Sequence, residues 1–132
     1  MRRMHKVPLS DQAVAVLHEA AALRRAECEL VFPSTRDGWL SDMTLTKALR
    51  DLGEQVTQHG FRSSFRDWAA EATSVPDAVA DSCLAHALED KVLAAYRRTD
   101  FFDARRSLMA AWGRFCVAGE RGQIFRLEAR RS

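Results

Sequence analysis

Apolar residues recur along this chain with helical spacing, in runs separated by short polar segments that contain proline or glycine. The pattern predicts six helices, over about residues 11–25, 41–52, 59–72, 76–86, 91–98 and 102–117. Two short segments lack this spacing: residues 5–9 are predicted to be extended, since Val7 precedes Pro8, and residues 30–34 to be a short buried strand or a turn. The expected fold class is therefore mainly α, with one or two short strands at the N-terminal end.

Residue types at the helix ends and along their faces refine this prediction. Ser10 is a good N-cap for the first helix, and Gly53 is expected to end the second. The predicted core face of the third helix consists of Phe61, Phe65, Trp68 and Ala72. Another face of the same helix is polar and consists of His59, Arg62, Ser63 and Arg66. In the last helix Leu108, Trp112 and Phe115 are expected to face inward. Arg105, Arg106 and Arg114 are expected to face mostly outward.

Composition limits the class of protein. A chain of 132 residues, 47% hydrophobic and 29% charged, has the size and apolar content of one domain. No stretch approaches the roughly 18 apolar residues of a membrane span, and the N-terminus lacks the apolar run of a signal peptide. The three cysteines, Cys28, Cys83 and Cys116, form no CxxC pair, so reduced thiols in a cytoplasmic protein are expected.

Charge is unevenly distributed, although the formal net charge is only +2. The balance of basic and acidic residues is 0 over residues 1–58, −4 over residues 59–90 and +6 over residues 91–132. Of the 20 basic residues, 17 are arginine, whose planar guanidinium suits phosphate. The basic C-terminal third is therefore either a phosphate-contacting surface or an ordinary solvated helix face.

A histidine and an arginine lie one turn apart where the third helix begins. His59 and Arg62 are three residues apart, and the helix N-terminus already favours an anion through its N–H groups and dipole. An HxxR pair in this place can bind phosphate. Taken alone, the pair is more often a capping histidine beside a surface arginine.

His86 and Tyr96 can cooperate only if the chain breaks between them. They are ten residues apart, and an unbroken helix would separate them by roughly 15 Å. Glu89 and Asp90 are residues that commonly begin a helix, so we expect a new helix over residues 91–98 that carries Tyr96.

Several motifs, in this order, resemble the C-terminal part of the catalytic domain of tyrosine recombinases of the phage and prophage integrase type. They are HKVPLS from residue 5, LVFPS from residue 30, TQHGFRSSFRDWAAEA from residue 57, LAH from residue 84, DKVLAAYRR from residue 90 and RRSLMAAWGRF from residue 105. A single motif would be weak, but their order and the spacing from His86 to Tyr96 are specific. The resemblance implies site-specific DNA recombination by transesterification through a 3'-phosphotyrosine intermediate.

The resemblance also implies a role for each matching residue. Arg62 would hold the scissile phosphate, His59 and His86 would hydrogen-bond it or assist proton transfer, and Tyr96, the only tyrosine of the chain, would attack phosphorus. Four further residues are expected to contact DNA: Arg66, Lys91, Arg97 and Arg98. For Arg97 and Arg98 an ordinary solvated pair is equally compatible with the sequence. No cofactor or metal is expected.

The sequence also departs from the family pattern. A first catalytic arginine and a catalytic lysine would fall before Met1, and Lys6 lies beyond the position of that lysine. We therefore expect residues 1–118 to be a partial integrase catalytic domain, barely active alone, and residues 119–132 to be a tail that is flexible or docks on another subunit. The expected partners are double-stranded DNA and other integrase subunits, a tetramer in the family, at the nucleoid and not at a membrane. The alternative is a catalytically silent module that binds DNA or another subunit.

Overall fold

The computed structural model describes residues 4–24, 27–36, 38–85 and 101–118. Within these ranges the chain forms five helices: α1 Asp11–Ala22, α2 Asp42–Asp51, α3 Gly60–Ala72, α4 Asp77–Cys83 and α5 Phe102–Ala118. The mainly α fold class is thus confirmed. The helix predicted over residues 91–98 and the tail over residues 119–132 lie outside the described residues.

No strand is found in the described ranges, which excludes the strand alternative for residues 30–34. Residues 5–9 and 30–34 have no ladder partner there, and an extended segment becomes a strand only when a second one pairs with it. Ser34 and Gly38 are joined by two hydrogen bonds, since the Ser34 N–H donates to the Gly38 carbonyl oxygen at 2.8 Å and the Gly38 N–H donates to Ser34 Oγ at 3.1 Å.

Two helix ends form as the sequence predicts. Ser10 caps α1, since its Oγ accepts a hydrogen bond from the Ala13 N–H at 3.2 Å. Gly53 follows α2 with a φ of +84°, a conformation that glycine adopts without steric cost. The Gly53 N–H donates to the Arg50 carbonyl oxygen and the Glu54 N–H to that of Leu49, both at 2.9 Å, which satisfies two carbonyls at the helix end.

The core lies where α3, α4 and α5 meet. Its buried apolar residues are Phe65, Trp68, Ala69, Val79, Ala80, Leu108 and Ala111. An aromatic cluster extends it: Trp112 makes an edge contact with Phe65 at 5.4 Å between ring centroids, and lies 5.0 Å from Trp68 and 5.4 Å from Phe115. The inward positions predicted for the last helix are thereby confirmed.

Phe61 is an exception to the predicted core face of α3. It is 54% exposed, because the core forms against later turns of the helix, where Phe65, Trp68 and Ala69 lie. Helices α1 and α2 contain no buried residue at all. Helix α1 packs against α5, and α2 exposes its apolar residues Met43 and Leu45.

Arg105 corrects the predicted outer face of α5. It was expected outside, yet it is only 2% exposed, whereas Arg106 and Arg114 are exposed as predicted. Arg105 lies one turn before Leu108 and so shares the face that packs on the core. Its Nη2 donates to the Lys6 carbonyl oxygen and lies 3.3 Å from Nε2 of His5. The buried arginine therefore attaches the segment before α1 to the helical core.

Candidate functional site

The predicted site begins at the N-terminus of α3. His59 is the N-cap residue, with φ −65° and ψ −32°, and its ring makes no capping hydrogen bond. The hydroxyl of Thr57 accepts the Gly60 N–H instead, at 3.2 Å. The simpler interpretation of His59 as a capping histidine is therefore not supported. The residue is exposed, which leaves its ring accessible to a ligand from solvent.

Arg62 is fixed by a long-range contact. Its Nη2 donates to the main-chain carbonyl oxygen of Leu84 at 2.9 Å, across 22 residues of sequence. Leu84 is the C-cap of α4, where a helix leaves carbonyl groups without partners within the helix, and Ala85 follows with a φ of 54°. A guanidinium has five N–H donors, so a single bond of this kind orients the group and leaves donors for an anion.

Arg62 also lies in the first turn of α3, where the dipole and the free N–H groups of the helix add positive potential. The hydrogen bond to Leu84 brings this end of α3 to the chain segment that leads directly into residue 86. His86, Lys91, Tyr96, Arg97 and Arg98 themselves lie outside the described residues. That they converge on Arg62 and His59 stays a prediction.

Arg66 lies one turn further along α3 and contacts two carboxylates of α4. Its Nη1 is 3.1 Å from Oδ1 of Asp77, and its Nε is 3.1 Å from Oδ1 of Asp81. The side chain of Arg66 is 30% exposed. Its predicted contact with DNA stays a prediction, but the guanidinium already has two anionic partners.

Arg105 and Cys83 are neighbours that the sequence did not single out. Burial raises the pKa of the Cys83 thiol above its usual value, and the nearby charge of Arg105 and a hydrogen bond from it oppose that rise. Cys83 is the last residue of α4, directly before Leu84. Arg105 thus contacts the same end of α4 as Arg62, through Cys83. The spacing of Arg105 from Leu108 was the one signal for its burial.

Two further properties concern only the described ranges. No group of three or more His, Cys, Asp or Glu side chains is placed there to hold a metal ion. None of the helices there is both long enough and apolar enough to pass through a membrane.

Comparison with known proteins gives a consistent result. Prophage integrase IntA of Escherichia coli K12 is 34% identical to the chain over 128 residues, which are 94% of this chain and 30% of that protein. The integrase of enterobacteria phage P4 is 34% identical over 119 residues, 85% of this chain and 27% of that protein. Prophage integrase IntS of E. coli K12 is 28% identical over 121 residues, 84% of this chain and 30% of that protein. No protein-family model matches the chain, and no solved structure matches it significantly.

The chain, which carries an HxxR pair at a helix N-terminus, is thus homologous to phage and prophage integrases over most of its length. It spans about 30% of the length of the curated relatives that it matches. The resemblance to integrases that the motifs predicted is confirmed.

Proposed function

We propose that this chain supplies the phosphate-binding and nucleophilic residues of a site-specific DNA recombinase, as the C-terminal part of its catalytic domain. Arg62 and His59 would bind the non-bridging oxygens of a scissile phosphate in double-stranded DNA, His86 would join them, and Tyr96 would be the nucleophile. The names of the relatives, which are integrases, and the order of the motifs support this assignment.

The proposed step exchanges one ester for another. The Tyr96 hydroxyl oxygen forms a bond to phosphorus as the bond from phosphorus to the 5' oxygen of the next nucleotide breaks. The phenolic proton passes to a base, the leaving 5' oxygen takes up a proton, and the phosphate stays joined to the 3' end through tyrosine. Because the ester bond energy is kept, a second 5' hydroxyl can reverse the reaction on another strand. Arginine and histidine donors stabilise the charge on the equatorial oxygens.

The single observation that carries the proposal is the hydrogen bond from Arg62 to the Leu84 carbonyl. It holds a half-buried guanidinium at a helix N-terminus, near an exposed histidine in the sequence and against Leu84, the first residue of the LAH motif. The bond also satisfies a carbonyl at the end of α4, and it fixes the guanidinium in an orientation that leaves further N–H donors for a phosphate.

DNA binding at a series of salt concentrations tests the phosphate contact. Binding to duplex DNA should be weak and should fall steeply with salt, and Arg62→Gln should reduce the slope of log K against log salt by about 0.9, the loss of one phosphate contact. Arg50→Gln removes an exposed arginine from α2, which carries no residue of the proposed site, and should change the slope much less. Equal changes in both variants would contradict a specific role for Arg62.

The covalent step is tested with a nicked suicide substrate and a denaturing gel. The resemblance implies that the first arginine and the lysine of the family site are not among these 132 residues, and one lost transition-state donor lowers rates about 100- to 1,000-fold. We therefore expect little protein–DNA adduct, and Tyr96→Phe should abolish whatever forms. An adduct that survives Tyr96→Phe would refute the assigned nucleophile, because another group of the chain would then have formed the ester.

A further inference from the structure

We infer that Arg66 and Asp81 form a positioning pair that aligns α4 with α3, so that the Leu84 carbonyl meets Arg62. The inference rests on the proposed phosphate-binding role of Arg62. It assigns to Arg66 an indirect task, in place of the direct DNA contact expected from its sequence position.

The geometry of two arginines on one helix supports this role. Arg62 and Arg66 are four residues apart on α3 and so project from the same face. Arg66 contacts Asp77 in the first turn of α4 and Asp81 near its end, and Arg62 bonds to the C-cap residue Leu84. The contacts to Asp81 and Leu84 are three residues, or about one helical turn, apart. Together they hold the end of α4 that presents the Leu84 carbonyl to Arg62.

The two carboxylates differ in how much they contribute. Asp77 is 77% exposed, so water and salt screen its contact with Arg66, whereas Asp81 is 22% exposed and its contact is screened much less. Asp81 also lies one turn before the end of α4, close to Leu84. We therefore assign the positioning role to Asp81 and expect Asp77 to be nearly dispensable.

Charge is the second argument against direct DNA binding by Arg66. Its positive charge is shared between two carboxylates at 3.1 Å, so a DNA phosphate that approached Arg66 would also meet two negative groups. Among the described residues, Arg62 contacts a neutral main-chain carbonyl and no carboxylate, so its charge is not offset there. Of the two arginines, Arg62 is the one suited to phosphate.

The test measures the mobility of the Arg62 guanidinium in the whole chain by NMR of 15N-labelled arginine, with its signals assigned through Arg62→Lys. Asp81→Asn keeps the shape of the side chain but removes its charge, and it should speed solvent exchange of the Arg62 Nη2 proton by about tenfold, as expected for a released hydrogen bond. Asp77→Asn is the matched control and should change this rate less than about twofold. Unchanged exchange in Asp81→Asn, or equal effects in both variants, would overturn the inference.

If Asp81→Asn fails to fold, Asp81→Glu serves in its place, since it keeps the charge but moves it by one methylene. Exchange at Arg62 should then rise while thermal unfolding changes little. An exchange rate within about twofold of the starting protein would overturn the inference, because a pair that sets the α4 register is sensitive to such a shift.

A double variant separates this inference from the proposed function. If Arg66 acts only through Arg62, Arg66→Gln added to Arg62→Gln should leave the salt slope of DNA binding unchanged. A further drop of about 0.9 would show that Arg66 contacts a phosphate itself and would overturn the inference. If Arg62→Gln alone leaves the slope unchanged, the proposed function fails, while the exchange measurement still decides whether Asp81 positions Arg62.

Discussion

Gly113 of α5 lies against the N-terminal end of α1, and replacing it by alanine should destabilise the chain. A Cβ atom at Gly113 would lie 2.6 Å from Cβ of Ser10 and would also collide with Ser10 Oγ and Gln12 Oε1. Gln12 can rotate away, because its oxygen ends a flexible side chain. The Cβ of Ser10 cannot move without the backbone, so α1 must shift.

The opposing contributions can be estimated separately. Alanine is favoured over glycine inside a helix by about 1 kcal/mol. Overpacking costs about 1–3 kcal/mol, and displacing Ser10 endangers the cap on α1, worth about 1 kcal/mol. We therefore expect a net loss of about 1–3 kcal/mol, which for a chain of this length lowers the melting temperature by about 4–10 °C.

Thermal unfolding followed by circular dichroism measures this effect, with Gly60→Ala as the matched control. A Cβ at Gly60 would meet only Thr57 Oγ1, at an ordinary 3.5 Å, so this variant should be as stable as the starting protein or slightly more stable. If Gly113→Ala raised the melting temperature as much as Gly60→Ala, the α1–α5 contact would not be as close as described.

Two further measurements examine the core and its edge. Leu108 is fully buried, so Leu108→Ala should lower the free energy of unfolding by about 2–5 kcal/mol in urea, and a loss below about 1 kcal/mol would contradict its central place. Burial raises the pKa of Cys83 above its usual 9.0, so alkylation at pH 8, followed by mass spectrometry, should be slower than that of a free thiol and should accelerate at higher pH. As the pH rises, the thiol ionises in the unfolded chain before it does so in the folded one, so the stability that Cys83 contributes is present below pH 9.0 and is lost above it. Alkylation as fast as that of a free thiol would refute the assigned burial.

Local signals predicted helices and their ends well. Ser10 caps α1 and Gly53 ends α2 because capping needs only a neighbouring hydroxyl or a permissive backbone, both readable from a few residues. Leu108 and Trp112 also face the core as their spacing predicts. These features depend on periodicity and not on which element packs on which.

Tertiary contacts were harder to predict. Charged residues are usually exposed, and only the assembled fold gives the Arg105 guanidinium acceptors from the segment before α1. Phe61 has the spacing of a core residue, but its burial depends on how far α4 and α5 extend along α3. Within the candidate site, the HxxR pair was evident from sequence, whereas the Leu84 carbonyl and the Asp81 carboxylate as arginine partners were not.

The partner of Arg62 has a consequence for how this region tolerates mutation. The acceptor is a main-chain oxygen, so no substitution of the Leu84 side chain removes it. For this hydrogen bond, only packing limits which side chain can stand at position 84. An insertion or deletion of one residue within α4, by contrast, would rotate the carbonyl by about 100° around the helix axis and carry it away from Arg62. The orientation of Arg62 therefore depends on the number of residues in α4 more than on which side chain stands at its end.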